Sequence, residues 1–227
     1  MRANKLIAER LEISRRKADS LIESGAVAIN GQPIINGQDI SDSQLLTVNG
    51  QLLPLKPSEL TISLNKPVGY VCSRNGQGSN TIYDILPKKY SNLNPIGRLD
   101  KDSSGLLVLT NNGQLHQKLS HPSYEKQKIY QAKLNKPLNP EDRTAIKQGI
   151  DIGDGISKLS LALLQSDGSK WTISMHEGRN RQIRRTFERL GYKVVSLHRT
   201  KFGPFNIGNL QPGHVKVCSP ATRSEII

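Results

Sequence analysis

Residues 97–113 read GRLDKDSSGLLVLTNNG, a polar loop followed directly by an apolar run. The loop carries two carboxylates, Asp100 and Asp102, and it follows Pro95-Ile96. The apolar run at residues 106–110 has the length and composition of a buried strand. Loops fixed on a rigid strand often carry catalytic groups, although an ordinary Asp/Ser/Gly turn has the same composition. This stretch therefore predicts a sheet-based domain with a candidate site where the chain enters one strand.

The chain from residue 61 onward is mostly a series of short strands separated by turns. Strands are predicted at residues 61–64, 70–72, 106–110, 127–134, 158–165, 170–175 and 194–197. Asn139, Pro140 and two acidic residues are typical of a helix start, and a second helix is predicted over residues 180–190. Few helices among many strands indicate an α+β fold, in which residues 61–227 form a larger domain with a mixed, mostly antiparallel sheet and flanking helices.

Residues 1–55 read as a separate small α/β unit, with two helices followed by a hairpin. Ser14 is typical of the N-cap of the second helix, and Gly25 is typical of its end. Asn30-Gly31 is typical of a type I′ turn between two short strands. Residues 56–60 then form a proline-containing linker, because proline stiffens the chain and removes a backbone donor.

The second helix of this small unit begins with three cations, Arg15, Arg16 and Lys17. Cations at a helix N-terminus oppose the helix dipole, so acidic residues are the usual choice there. A helix N-terminus with free N–H groups and three cations is suited to binding phosphate. A tolerated, solvated turn is the alternative, since the penalty is only about 0.3–1 kcal/mol.

The overall charge favours a polyanionic partner. Lys and Arg total 32 against 19 Asp and Glu, giving a formal net charge of +13, and mean hydropathy is −0.48. RNA, DNA, an anionic membrane, an acidic protein or a merely basic soluble surface all fit such a charge. The sequence argues against the membrane, because no apolar run approaches the roughly 20 residues that span a bilayer. The N-terminal segment also lacks the continuous apolar core of a signal peptide.

The cysteines and histidines give no sign of a metal or a cofactor. Cys72 and Cys218 are far apart and match no CxxC pattern, so free thiols in a reducing cytoplasm are expected. The five histidines have no metal-ligand spacing, and neither GxxxxGK[ST] nor GxGxxG occurs. The sequence therefore predicts no metal and no nucleotide cofactor.

The predicted strand at residues 127–134 carries a cation and an aromatic ring on one face. Lys128 and Tyr130 are two residues apart, so their side chains point the same way. Such a pair can stack a base on the ring while the cation meets phosphate. A tyrosine half-buried in the sheet is the alternative, and is the more common arrangement.

A third candidate lies in the basic segment 176–201, which has six Arg and two Lys against two Glu, a net charge of +6. At 100° per residue, a helix here buries a stripe formed by Ile183, Phe187 and Leu190. Arg181 and Arg185 would then face solvent or phosphate, while Arg184 at the flank could meet a loop. A solvated basic helix is the alternative interpretation.

These three segments resemble the motifs of the RsuA/RluB/RluE/RluF family of ribosomal RNA pseudouridine synthases. Residues 97–113 closely resemble the GRLDxDTxGLLLLTNDG segment of that family, Lys128 and Tyr130 fit its K-x-Y motif, and EGRNRQIRR resembles its third motif. VVSLHRTKFGPF is also similar to the family. The N-terminal SRRKAD and GAVAING segments resemble the S4 RNA-binding module. The resemblance covers nearly the whole chain and is greatest for the RluB type.

The resemblance implies a role for each motif residue. Asp100 is the nucleophile, with Asp102 as the rival carboxylate, and Tyr130 stacks on the flipped uracil and is a proposed acid or base at C5. Arg184 is expected to pair with Asp100, since an adjacent guanidinium lowers the pKa of a carboxylate and keeps it nucleophilic. Leu197 packs against the active site. RNA contacts are expected from Arg15, Arg16, Lys17, Arg98, Lys128, Arg179, Arg181, Arg185 and Arg199.

The expected activity is isomerisation of a specific uridine in a structured stem-loop of 23S or 16S ribosomal RNA, with 23S favoured. The uridine must be flipped from its stack. Asp100 either attacks C1′ or removes the 2′ proton to give a glycal. No cofactor is expected, because the reaction involves no redox change and no net hydrolysis. The protein is expected to be a monomer. The alternatives are an S4-type ribosome-assembly protein without catalysis, and an RNA or nucleoside hydrolase, which needs two carboxylates about 5–9.5 Å apart.

Overall fold

The computed structural model describes residues 1–41, 44–121 and 126–219 of the chain. Two compact units are present: the first spans Met1–Glu59 and the second begins at Leu60. Each has a hydrophobic core of its own. The division falls inside the segment 56–60, where the sequence predicts a linker.

The first unit packs two helices against a small antiparallel sheet. Its elements are α1 (Ala3–Leu11), α2 (Arg15–Glu23), β1 (Val27–Ile29), β2 (Gln32–Pro33), β3 (Leu46–Val48) and β4 (Gln51–Leu52). The strand order is β2-β1-β3-β4. Leu6 and Ile7 on α1 and Ile22 on α2 lie in the core with Leu46 of β3. Burial of these apolar side chains is what holds so small a unit together.

Local sequence signals determine the ends of these elements. The Ser14 Oγ accepts a hydrogen bond from the Lys17 backbone N–H at 3.2 Å, which confirms the predicted N-cap of α2. Asn30 and Gly31 have φ values of 49° and 80°, so the predicted hairpin turn is also confirmed. Arg15 and Arg16, with Lys17, are exposed in the first turn of α2.

The second unit is built on one large sheet. Its strands are β5 (Thr61–Lys66), β6 (Asn94–Pro95), β7 (Ser104–Thr110), β8 (Lys128–Leu134), β9 (Ile150–Asp151), β10 (Ile156–Ser157), β11 (Ser160–Leu163), β12 (Lys170–Met175), β13 (Val194–Phe202), β14 (Phe205–Asn206) and β15 (Val215–Val217). Its α-helices are α3 (Gly113–Ser120), α4 (Pro140–Gln148) and α5 (Gln182–Glu188).

The main path through this sheet is β11-β12-β8-β13-β7-β5-β15. Strand β14 pairs with β13 and β6 pairs with β7, giving nine strands in the described residues, while β9 and β10 form a separate hairpin. All pairs in the large sheet are antiparallel except β7 with β13, which are parallel. The predicted α+β fold with a mostly antiparallel sheet is therefore confirmed.

Strand β7 is covered on both faces. Leu107 and Leu109 lie in the core cluster on one side of the sheet, and Leu106 and Val108 lie in the cluster on the other side. A strand with two buried faces reads as a continuous apolar run instead of alternating with polar residues. This double burial explains the sequence of residues 106–109.

Two helices differ from the sequence prediction. Helix α3 was not predicted: the Asn112 side chain accepts hydrogen bonds from two backbone N–H groups and caps it. Asn-Gly is equally typical of a turn, so the local signal is ambiguous. Helix α5 begins two residues later than predicted, because Arg181 has a left-handed backbone (φ 47°, ψ 32°). By contrast, the Asn139 cap of α4 is confirmed. No helix in the three described ranges is long and apolar enough to cross a membrane.

A row of cross-strand neighbours runs across the centre of the sheet. The pairings Ile173–Tyr130, Tyr130–Arg199, Arg199–Gly105 and Gly105–Lys66 define this transverse row. Gly105 has φ +106°, and a Cβ there would lie 2.3 Å from the backbone oxygen of Arg199. Only glycine allows β7 to approach β13 so closely at this point.

We predict that Gly105→Ala destabilises the second unit by at least about 3 kcal/mol, because the methyl group would force the parallel strands apart. Urea unfolding measures the change. Gly191→Ala is the matched control: Gly191 also has a left-handed φ (+74°), but a Cβ there meets nothing within 4 Å. The free energy of unfolding of this variant should fall by only about 1–2 kcal/mol, the cost of a left-handed backbone at a residue with a Cβ. Equal decreases in the free energy of unfolding of the two variants would show that the close approach of β7 to β13 makes no separate contribution to stability.

Candidate active site

A cleft of about 1120 Å³ opens in the second unit. It is lined by Asp100, Tyr130, Arg184, Leu197 and Arg199, among other residues. These side chains come from segments that are far apart in the sequence, and the sheet order brings them together. The volume is at the upper end of the range for ligand pockets and accommodates a nucleotide.

The loop that carries Asp100 is tied down on several sides. The Gly69 N–H donates to the Lys101 carbonyl at 2.7 Å, and the Ser103 N–H donates to the Asp100 carbonyl at 3.1 Å. The Nζ of Lys66, a fully buried residue, donates to the Ser103 carbonyl at 2.8 Å. The Cys72 thiol contacts the backbone N–H and carbonyl of Leu99 at 3.4 Å. The loop is therefore fixed, while the Asp100 side chain on it is 35% exposed and lines the cleft.

Two arginines of the third motif meet the two carboxylates. The guanidinium of Arg181 donates to both oxygens of Asp102 at 3.0 Å, in a bidentate pair. Its Nη1 also lies 3.6 Å from Asp100 Oδ2. Arg184 forms an ion pair with Asp102, with Nε 3.2 Å from Oδ2, and its Nη2 donates to the Asp102 carbonyl at 2.8 Å. Hydrogen bonding from Arg181, assisted by the charge of Arg184, holds the pKa of Asp102 below its usual value.

The pairing expected between Arg184 and Asp100 is therefore corrected. In the structure Asp102 takes Arg184, and Arg181 is the guanidinium that contacts Asp100. Arg181 is exposed, as the sequence predicts, with 43% of its side chain accessible, but it pairs with the carboxylates of the loop, which the sequence did not predict. The angle of 100° per residue holds only within a helix, and Arg181 precedes α5 in a left-handed conformation that turns its side chain back to the loop.

Tyr130 and Leu197 lie where the sequence places them. Both line the cleft, with exposures of 8% and 7%. Tyr130 belongs to the transverse row, with Arg199 directly opposite on β13. The Tyr130 ring is therefore mostly buried in the sheet, and its exposed part belongs to the cleft surface. This position fits both interpretations of the residue, a ring buried in the sheet and a ring that stacks on a base.

Several residues expected to contact RNA are bound to the protein instead. Arg185 donates to Asp154 Oδ2 at 2.8 Å, and Arg179 donates to Glu177 Oε1 at 2.9 Å and forms an ion pair with Asp154. Lys128 donates to the carbonyls of residues 176 and 177, and burial lowers its pKa. These contacts hold the three side chains against other parts of the protein, and their contact with RNA stays a prediction.

Arg199 is almost fully buried, with an exposure of 2%, and its Nε donates to the Leu106 carbonyl at 2.8 Å. Its expected contact with RNA stays a prediction. Arg98, by contrast, is exposed and lines the cleft. Arg15, Arg16 and Lys17 belong to the first unit and lie outside this cleft lining.

Sequence reasoning missed a set of basic residues around the cleft: His116, His121, Lys126, Lys158 and His176. They come from α3 and from connecting segments that carry no motif. Two of them lie on or next to α3, which was itself not predicted. The sequence signal for these residues, which form a basic rim around the cleft, was the net positive charge of the whole chain alone.

Comparison with known proteins finds relatives of this chain in both sequence and structure. The family model described as RNA pseudouridylate synthase matches residues 61–189, which contain all three motifs. The chain is 36% identical to ribosomal large subunit pseudouridine synthase B of Bacillus subtilis (strain 168), covering 96% of this chain and 92% of that protein. It is 34% identical to the dual-specificity RNA pseudouridine synthase RluF of Escherichia coli (strain K12), covering 94% and 73%.

A crystal structure of a pseudouridylate synthase matches 100% of both chains with a TM-score of 0.72 and 30% sequence identity. The family match to the second unit, the sequence identity over most of the chain and the shared fold therefore lead to the same family. The resemblance inferred from residues 97–113, Lys128-x-Tyr130 and EGRNRQIRR is confirmed, and the chain belongs to the RNA pseudouridylate synthase family.

Proposed function

We propose that this protein isomerises a specific uridine to pseudouridine in ribosomal RNA, with large-subunit RNA as the favoured substrate. The observation that carries the proposal is the meeting of Asp100, Tyr130 and Arg181 in one cleft large enough for a flipped nucleotide. The similarity to ribosomal large subunit pseudouridine synthase B supports the choice of RNA. A monomer acting in the cytoplasm on a stem-loop is the simplest form of the proposal.

Asp100 is proposed as the reacting carboxylate. Its loop is fixed by backbone hydrogen bonds, so the side chain is held in place before substrate arrives. Asp100 Oδ2 has one ion-pair contact, with Arg181 at 3.6 Å, which leaves the oxygens open to a substrate. Attack on C1′ and removal of the 2′ proton both require such an accessible carboxylate.

Asp102 is proposed to position the site and not to react. Both of its oxygens accept hydrogen bonds from Arg181, and Arg184 forms an ion pair with it as well. A carboxylate engaged in this way is a poor nucleophile, because attack would break charge-assisted hydrogen bonds. Its role would be to hold the third motif against the loop that carries Asp100.

Tyr130 is proposed to stack on the flipped base. Moving a base out of its stack costs a few kcal/mol, and stacking on an aromatic ring is worth about 1–3 kcal/mol. The basic rim of the cleft, with Arg98, Lys126 and Lys158, would bind the RNA phosphates on either side of the flipped base. These contacts would offset the remaining cost of base flipping. The S4-like first unit would supply a second RNA contact through the exposed first turn of α2.

Replacing each of the two carboxylates tests their proposed roles. Asp100→Asn should release no detectable tritium from C5-labelled uridine in unmodified ribosomal RNA, because the amide can neither attack nor accept the proton. Its RNA affinity should stay within about threefold of wild type. Asp102→Asn is the matched control, and should slow turnover by roughly 10–100-fold, since it loosens the arginines without removing the reacting group.

These assays are run on both large- and small-subunit RNA. Normal turnover by the Asp100 variant would refute the assignment of the nucleophile. If the wild-type protein binds both RNAs but releases no tritium from either, an RNA-binding assembly protein replaces the enzyme as the better explanation.

Tyr130→Phe separates stacking from proton transfer. We expect RNA binding to be retained and turnover to fall by about 10²-fold or more, the usual effect of losing a general acid or base. Tyr192→Phe is the control: its hydroxyl donates to Asp142 Oδ2 and lies outside the cleft lining. Single-turnover tritium release measures both. Full activity of the Tyr130 variant would limit the residue to stacking.

The first turn of α2 can be tested through salt dependence. Replacing Arg15, Arg16 and Lys17 together by Ala should weaken binding to ribosomal RNA and reduce the slope of log Kobs against log[salt] by about 2 to 3, as three lost phosphate contacts require. Filter binding over a range of salt concentrations measures the slope. An unchanged slope would mean that this turn is only a solvated surface.

A further inference from the structure

Two cations are buried beneath the catalytic loop, on either side of Gly105 in the transverse row. Lys66 is 0% exposed and Arg199 is 2% exposed. Within the described residues, neither forms an ion pair with a carboxylate. Burying a charge without a counter-ion is costly, so an arrangement of this kind requires a compensating interaction or a function.

The structure accounts for Lys66 but only partly for Arg199. Lys66 Nζ donates to the carbonyls of Pro67 and Ser103, and thereby fastens the loop. Arg199 donates from Nε to the Leu106 carbonyl, and its guanidinium lies 5.0 Å from the centre of the Phe202 ring. Its Nη2 is shielded from solvent and has no hydrogen-bond partner in the described part of the chain. A buried donor left unpaired loses its hydrogen bonds to water without replacement and is destabilising.

The position of Arg199 links this charge to the substrate. Arg199 is directly opposite Tyr130, and cross-strand neighbours have Cβ atoms about 4.5–5.5 Å apart on the same face. Both residues line the cleft. Burial lowers the pKa of both Lys66 and Lys128, and the nearby charge of Arg199 acts in the same direction on each. The charges of Cys72, Asp100 and Asp102 oppose this at Lys66, and that of Glu177 opposes it at Lys128. A base stacked on Tyr130 would lie beside the buried guanidinium of Arg199.

Negative charge develops on that base during the proposed reaction. If Asp100 attacks, its oxygen gives an electron pair to C1′ while N1 leaves with the pair of the C1′–N1 bond. If a glycal forms, Asp100 takes the 2′ proton, the C2′–H pair becomes the C1′=C2′ bond, and N1 again leaves with its pair. In both routes uracil departs as an anion, with charge spread over N1 and the two carbonyl oxygens.

The second half of the reaction removes this charge. The uracil rotates and its C5 forms a bond to C1′. The Asp100 oxygen leaves C1′ with its electron pair, or, in the glycal route, returns its proton to C2′. The C5 proton is then lost and a proton is gained at N1, so no atom is gained or lost overall. Stabilising the anion would lower the barrier to the first half, in which the glycosidic bond breaks.

We propose that Arg199 stabilises the departing uracil anion through its buried, unpaired charge. An arginine stays protonated, so it can favour the anion without transferring a proton to it. Because its guanidinium is shielded from water, its charge acts in a medium of low dielectric constant and is fixed before reaction, the condition under which electrostatic stabilisation is strongest. This inference rests on the proposed uridine isomerisation.

Neutral and charged replacements separate this role from packing. Arg199→Met removes the charge, while Arg199→Gln removes the charge but keeps a donor for the Leu106 carbonyl. Both should slow single-turnover tritium release by about 10²-fold or more, the scale of one lost electrostatic donor, with RNA affinity within about threefold of wild type. Arg199→Lys keeps the charge and should lose no more than about tenfold. Lys201→Met is the control for loss of one cation from β13 outside the cleft lining, and should behave like wild type.

A better leaving group provides the decisive comparison. Fluorine at C5 makes uracil more acidic, so its anion needs less stabilisation. On ribosomal RNA containing 5-fluorouridine at the target, the deficit of the neutral variants should shrink by about tenfold or more. Consumption of the fluorinated nucleoside is followed by chromatography after digestion of the RNA. Equal deficits on the two substrates, or an Arg199→Lys variant as slow as the neutral ones, would overturn the proposal.

Failure of the underlying function gives a different result. If wild type and Lys201→Met release no tritium from either ribosomal RNA, the proposed isomerisation fails and Arg199 has no anion to stabilise. If both are active and the neutral variants match them, only the role of Arg199 fails. Thermal unfolding identifies a neutral variant that does not fold, and the comparison then rests on the variants that do.

Discussion

The close parallel pairing of β7 with β13 is the contact on which the cleft depends. It is short, since only Ser104 with His198 and Gly105 with Arg199 are paired. The loop of Asp100 leads directly into β7, so the pairing places that loop beside Tyr130, the neighbour of Arg199 on the other side. A side chain at residue 105 would collide with the backbone of β13. One glycine thus allows the loop of Asp100 and the strand of Tyr130 to line one cleft.

The charged side chains of this site form two layers. Those in the upper layer are paired with opposite charges, and those in the lower layer, the floor of the cleft, are bonded to backbone carbonyls. In the upper layer, Arg181 and Arg184 face the carboxylates of Asp100 and Asp102, and each charge has a partner. In the floor, Lys66 and Arg199 are buried and bonded to backbone carbonyls. Carbonyl dipoles solvate a cation but do not neutralise it, so these contacts do not cancel the charge of the Arg199 guanidinium. In the proposed reaction, that charge would attract the electron density that develops on the departing base.

The sequence predicted those features that depend on local chemistry. The caps at Ser14 and Asn139, the Asn30-Gly31 turn and the strand after Asp100 each follow from the preferences of neighbouring residues, and the structure has them. Motif resemblance also selected Asp100 and Tyr130, which the structure brings together in one cleft. Side-chain partners could not be predicted in the same way. They depend on one backbone conformation, the left-handed Arg181, and on strand register, which buries Arg199 although its neighbours in sequence are polar.

The choice of partner for the arginines also has a chemical consequence. A guanidinium that donates to both oxygens of a carboxylate stabilises its charge and holds both lone-pair directions, which opposes attack on an electrophile. The structure gives this strong pairing to Asp102, and Asp100 receives only the longer contact at 3.6 Å. This difference supports the proposal that Asp102 anchors the arginines while Asp100 reacts. Because Arg181 touches both, movement of Arg181 on RNA binding would change the freedom of Asp100 without changing the path of the loop itself.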